Sequence, residues 1–301
     1  LIGKGLVKIS RQIIIIGQLS YLLIAAVLIM FGQGLIAIIS AQALSIFIVR
    51  LLSNRSFFTA RLKEQLEKSV PIPRDEILKA ITPNAIRLGL TILGGFAVSR
   101  AAIFFGSLYL PLEQIASYGI TMQLIYVISA VAGIYTLTFT PKISQCRIQN
   151  NLHAIKHIYL RGQIIMIATF LTAGVVLVVF GNFLLSIIGS YTILMHYSLI
   201  ALAIFIAFLE KNHSVSASII IMSKNEVPFF KASLYSGAAT LILLLLFMNF
   251  SSLGLWGLLL APGIAQGMYQ NWKWPLIVRS ELEIKIMDYK LAFTNIIKEA
   301  F

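Results

Sequence analysis

Charge is what this sequence has least of. Only 12% of its 301 residues are Asp, Glu, Lys or Arg, about half the share of an ordinary soluble domain. Acidic residues are the scarcer kind, 11 against 24 basic, which leaves a net charge of +13. In a soluble chain that excess would point to nucleic acid. Here 58% of the residues are hydrophobic, and the basic ones fall mostly between long apolar runs. That is the positive-inside pattern of a polytopic, all-α membrane protein, and nucleic acid drops out as a partner.

Cysteine is almost missing. Cys146 stands alone, so no disulfide closes within the chain and no cysteine-built metal site exists. It reads as a reduced thiol in a basic cytoplasmic loop. No GxxxxGK[ST] run is present, which excludes an ATP-driven motor in this chain. There is no HExxH and no Cys/His ligand set, so no metal and no cofactor is expected. No pair of carboxylates suits a glycosidase or retaining transferase. The chain also begins without Met. Leu1–Gln12 is a basic lead-in, and Ile13–Phe31 is too long for a signal h-region and has no small-residue cleavage site after it. The start is therefore expected to lie inside a longer protein.

What the chain has is apolar length. A spanning helix takes about 20 mostly apolar residues, and eight runs qualify: Ile13–Phe31, Leu35–Leu52, Pro83–Phe105, Ile115–Thr138, Gln163–Phe180, Tyr191–Met222, Pro228–Met248 and Leu255–Ile277. Basic residues sort the loops between them. Three precede the first run, six lie in Ser53–Thr82, four in Pro141–Gly162 and five from Lys273 onward, and Lys224 and Lys231 mark a further loop. The intervening loops, at Gly32–Gly34, Gly106–Gln114, Gly181–Ser190 and Asn249–Gly254, have none. This alternation predicts eight spans with both ends of the chain cytoplasmic. Glu64, Glu67, Lys63 and Lys68 predict a short surface helix ahead of Pro71 and Pro73. The tail after Ser280 predicts a basic amphipathic helix on the inner leaflet, and Tyr269, Trp272 and Trp274 an aromatic anchor at the interface.

One run carries charge where charge is costly. Glu210, Lys211, Asn212 and His213 sit consecutively within Tyr191–Met222. A charge at the bilayer centre costs about 2.5–3.5 kcal/mol on insertion scales. The ten Leu, Ile and Phe residues from Ile193 to Leu209 return about 0.3–0.6 kcal/mol each. The segment still inserts, as one long helix with its charges near mid-membrane. Glu210 shares a face with His213 and Ser214, three and four residues on, whereas Lys211 points about 100° away. Two readings stay open: a buried ion pair that fixes helix packing, or a substrate or proton site. Arg87 and Arg100 lie within the third run. Both are long enough to snorkel to an interface, or they line a cationic lumen. They are about 140° apart on an ideal helix, so they share a face only if Gly94-Gly95 bends it.

Three stretches carry a resemblance: ASYGITMQLIYVISAVAGIYTLTFTPKISQCRIQNN (Ala116–Asn151), FLEKNHSVSASIIIMSKNEVPFFKASLYSG (Phe208–Gly237) and GLWGLLLAPGIAQGMYQNWKWP (Gly254–Pro275). In this order they resemble the polysaccharide-biosynthesis, O-antigen (Wzx-type) flippases of the MATE-like exporter superfamily. The resemblance covers about Ile81 to Val278. It implies twelve spans in two six-helix lobes around a central, often cationic, cavity. It also implies transfer of undecaprenyl-pyrophosphate-linked oligosaccharide across the bacterial inner membrane, with a coupling ion (proton or sodium) and other polysaccharide-assembly proteins as partners. On that template residues 1–52 are the last two helices of the N-terminal lobe and residues 53–82 the cytoplasmic linker. Residues 83–278 are the six-helix C-terminal lobe, residues 279–301 a basic tail, and four helices are missing before Leu1. Substrate and cavity contacts would then fall on Arg87, Arg100, Glu210, Lys211, Asn212 and His213, with the three basic residues neutralising the pyrophosphate.

Two other classes compete. A cation antiporter of the same architecture would want an anionic cavity, and three of the four charges within spans that could face this cavity are basic. A membrane enzyme of glycan assembly, such as a polymerase or ligase, would want a large outward loop, and the outward loops are short.

Overall fold

The computed structural model describes residues 6–59, 62, 64, 67–68, 72–187, 189–224 and 227–300. Every regular element among them is helical. Seven of the helices are long and apolar enough to cross a membrane, so the chain is a multi-pass, all-α helical membrane protein. Between Thr59 and Ile72 several residues lie outside the described set, and with them part of the predicted surface helix.

Two compact units divide the chain, residues 1–77 and 78–301. The first holds α1 (Val7–Met30) and α2 (Gly34–Phe57), packed on one another along a file of small residues. Ala37 and Ala41 on α2 are fully buried, and Ser45, one turn further, donates from Oγ to the Gly17 carbonyl at 2.7 Å. Small side chains let two helices approach where lipid supplies no hydrophobic drive between them.

The second unit begins at Leu78, within α3 (Arg74–Tyr109), and continues through α4 (Leu112–Ala132), α5 (Ile134–Thr138), α6 (Thr140–Ile148), α7 (Leu152–Ile187), α8 (Tyr197–Lys224), α9 (Phe230–Phe250), α10 (Leu255–Gly267), α11 (Gln270–Glu281) and α12 (Ile286–Ala300). The helix with the polar cluster, α8, is its axis: α4, α6, α7, α10 and α11 all pack on it. Ile220 of α8 is fully buried, as are Ile125, Ile155, Met166 and Leu258 of the helices packed on it.

Three runs predicted as continuous spans are interrupted, each for a local reason. Residues 191–196 are not helical, and α8 starts at Tyr197. The backbone N–H groups of Leu194 and Met195 are taken by Asn182 Oδ1 at 2.8 Å and Thr121 Oγ1 at 3.1 Å, so side chains of α7 and α4 satisfy what a further helical turn would have. The run Ile115–Thr138 breaks at Gly133, between α4 and α5. The run Leu255–Ile277 is split at Met268–Tyr269 into α10 and α11, 13 and 12 residues long, each too short to span alone. This is where the eighth predicted span goes: it is a broken pair rather than one helix. Helices also run past their predicted ends, with α7 covering 36 residues and absorbing the second half of the basic Pro141–Gly162 segment.

The C-terminal helix is tied to α7. Lys156 Nζ reaches Asp288 Oδ2 at 2.7 Å and donates to the Glu283 carbonyl at 2.9 Å. Asp288 also accepts from the Lys285 backbone N–H at 2.6 Å, which caps the start of α12. The predicted aromatic anchor separates into two environments. Trp272 is about half exposed, whereas Trp274 is buried, its ring edge-on to Phe229 at 5.6 Å.

Candidate functional site

The face of α8 that carries Glu210 also carries Ser214, Ala217, Ser218 and Ile221, at spacings of 4, 7, 8 and 11 residues, which fall on one side of a helix. This face lines a cleft of about 290 Å3. Opposite it stand Thr91, Gly95 and Val98 of α3, Ser233 of α9, and Gln266 and Gln270 on either side of the α10–α11 break, with His213 and Phe229 completing the wall. Among the described residues, Glu210 is the single formally charged group in the lining. Beyond it lies a second, nearly closed cavity of about 30 Å3, which Glu210 and Val98 share with the first. Tyr118, Tyr126 and Ser99 line that one among apolar neighbours. It is about large enough for one water-sized occupant.

The four consecutive polar residues of α8 go four ways. Glu210 faces the two cavities. Lys211 turns to α4: a Cβ on Gly133 would fall on its Cε and Nζ. Its ammonium end therefore sits at the C-terminal end of α4, where the helix dipole favours a cation. Asn212 contributes its backbone carbonyl, which accepts from Ser216 Oγ at 2.9 Å. Tyr159 of α7 in turn donates to Ser216 Oγ at 3.0 Å. This buried relay locks α7 to α8. His213 is 9% exposed, and its Nδ1 donates to Asn271 Oδ1 at 2.8 Å, tying α8 to α11. Neither Glu210 nor Lys211 makes an ion pair within 4 Å among the described residues.

The two arginines stand apart from this cleft. Arg87 is exposed on α3, its guanidinium 5.8 Å from the Phe230 ring centre. Arg100 is also exposed, 5.7 Å from the ring of Tyr126, and lines a different cleft between α3 and α9. Of the six sequence-level candidates, the structure brings Glu210 and His213 into one lining. It leaves Lys211, Asn212, Arg87 and Arg100 outside it. Thr91, Ser233, Gln266 and Gln270 were not among the candidates. The one signal for the glutamines was their spacing, four apart, which places them on one face of a helix. No group of three or more His, Cys, Asp or Glu side chains with metal-binding geometry occurs among the described residues.

The fold and cleft define a class, a polytopic helical membrane protein with a polar recess inside its apolar bundle. Compared with known proteins, the chain matches no family model, no curated protein and no solved structure.

Proposed function

We propose that this chain serves a transporter, and that its cargo is a lipid-linked oligosaccharide carried across a bacterial inner membrane with both ends of the chain in the cytoplasm. The observation that carries the transport reading is the Glu210 cleft. A recess of hydroxyls, amides and a carboxylate, set against the long apolar helices α3, α8 and α9, is costly to keep in a bilayer unless water or a solute enters it. The choice of cargo rests on the resemblance of the three sequence stretches to O-antigen flippases and on the basic side chains of α3. Arg100 and Arg87 would meet the pyrophosphate. Glu210, next to a water-sized cavity, would meet a coupling ion, a proton or sodium.

Charge reversal at Arg100, in cells whose surface polysaccharide depends on this protein, is expected to abolish surface display. Normal display with both Arg87 and Arg100 made neutral would contradict the cargo assignment. One observation favours a second reading, a cation antiporter of the same architecture: among the described residues, the only formal charge in the cleft is a carboxylate. In that case Glu210→Gln would abolish efflux of organic cations and leave surface polysaccharide intact.

A further inference from the structure

We propose that the pocket between the start of α9 and the α10–α11 break is a site for an anionic glycerophospholipid, with the headgroup on Lys231 and an acyl chain running toward Ala239. The site is independent of the cargo: its occupant is a lipid of the surrounding bilayer, held rather than carried.

Lys231 stands in the first turn of α9, a helix of 21 residues, about the apolar length that crosses a bilayer. That places Lys231 where the helix leaves the hydrocarbon. Ala239 lies eight positions further on, about 12 Å deeper at the helical rise. The pocket covers this stretch and holds about 570 Å3, with Ala265, Tyr269 and Trp274 as its other wall. Tyr235 of α9 and Tyr269 are 72% and 42% exposed, and amphipathic rings of this kind favour the headgroup level.

Three features of this pocket ask for an acceptor with negative charge. Among the described residues, Lys231 is the one charged side chain in the lining, and it makes no ion pair within 4 Å. The start of α9 has no hydrogen bond from an N-cap side chain and no acidic residue in its first turn, so the partial positive charge of the helix end is left unopposed there. Trp274 is 4% exposed, and its Nε1–H has no acceptor among the described residues. A free phosphate would answer the charge and leave the apolar depth of the pocket unfilled. A zwitterionic phospholipid would bring its own ammonium group up to Lys231 and the positive end of α9. A polyprenyl phosphate has no acceptor below its phosphate. An anionic glycerophospholipid supplies the charge, then ester carbonyls that can accept from the Trp274 N–H, then hydrocarbon for the stretch toward Ala239.

The test uses the full chain in detergent micelles, phosphatidylglycerol carrying a diazirine on one acyl chain as the probe, and peptide mass spectrometry to find the cross-links. Labels are expected on peptides from the first half of α9 and from α10–α11. They should be displaced by unlabelled phosphatidylglycerol, and not by equal amounts of phosphatidylcholine or glycerol phosphate. Lys231→Gln, at an exposed position, is expected to lower labelling about fivefold, the worth of one lysine near an anionic surface, and Lys231→Arg to keep it. Labels spread evenly over all membrane-facing helices, equal competition by phosphatidylcholine, or full labelling of Lys231→Gln would overturn the proposal. So would stronger displacement by a polyprenyl monophosphate than by phosphatidylglycerol, which would hand the pocket to a different lipid.

Discussion

At the scale of single residues, neighbours in sequence have unlike tasks. Glu210 is expected to be functional and its neighbour Lys211 positional. Glu210→Gln should therefore slow transport without unfolding the protein. Tyr159→Phe should leave transport intact and lower stability by about 0.5–1.5 kcal/mol, the net worth of one buried hydrogen bond, read by thermal unfolding in detergent. Glycines separate in the same way. A Cβ at Gly94 meets backbone atoms of Ser233, which cannot move aside without shifting α9, whereas a Cβ at Gly133 collides with the flexible end of Lys211 and otherwise makes an ordinary contact with the Ser129 carbonyl. Gly94→Ala is expected to destabilise by about 1–3 kcal/mol, in the range of overpacked sites. Gly133→Ala should cost less, because Gly133 already has a right-handed backbone conformation (φ −90°, ψ −7°) and alanine is the better helix former. Equal costs at the two sites would contradict the packing described.

At the scale of elements, the apolar runs located the helices, because span length follows from bilayer thickness. The polar cluster in Tyr191–Met222 also marked α8 as the helix around which others are arranged. What stayed hidden were interruptions imposed by partners distant in sequence. Thr121 and Asn182 end α8 early from 74 and 12 residues away, and no local pattern announces that. The side of α8 facing the cleft was partly legible from the Glu210–His213–Ser214 spacing. The seating of Lys211 on the end of α4 was not, since it depends on the break at Gly133.

The tie between α12 and α7 gives an element-scale prediction. The hydrogen bond from Lys156, followed by that from the Lys285 backbone N–H, holds the Asp288 carboxyl below its ordinary pKa. A carboxyl depressed in the folded state stabilises above its unfolded pKa, and that contribution is lost as pH falls through the folded value. Backbone amides of α12 are therefore expected to be protected from hydrogen exchange at neutral pH and to lose protection in acid. In Asp288→Asn the protection should be weaker throughout and insensitive to that pH range. Acid-dependent protection that persists in Asp288→Asn would show that another group governs the tail.

At the scale of the whole molecule, the class of protein was readable from composition and apolar length, and the structure agrees on an all-α, multi-pass architecture. The cargo was readable only through resemblance, because pyrophosphate, sugar and coupling ion leave no mark on hydropathy. The alternation of basic and empty loops makes a topological prediction. With Cys146→Ser as background, Gln33→Cys should react with a membrane-impermeant maleimide from outside intact cells, and Glu283→Cys only after permeabilisation. Labelling of Glu283→Cys in intact cells would reverse the assigned orientation.

The most direct test of the central claim, that the Glu210 cleft belongs to a path for lipid-linked glycan, is a flipping assay in proteoliposomes. The readout is a fluorescent polyprenyl-pyrophosphate oligosaccharide passing from the outer leaflet to a leaflet protected from quencher. Wild-type protein is expected to transfer the lipid, and Glu210→Gln to do so at least about tenfold more slowly, a barrier increase of about 1.4 kcal/mol. Equal rates for the two proteins, or no transfer by the wild type, would contradict the account.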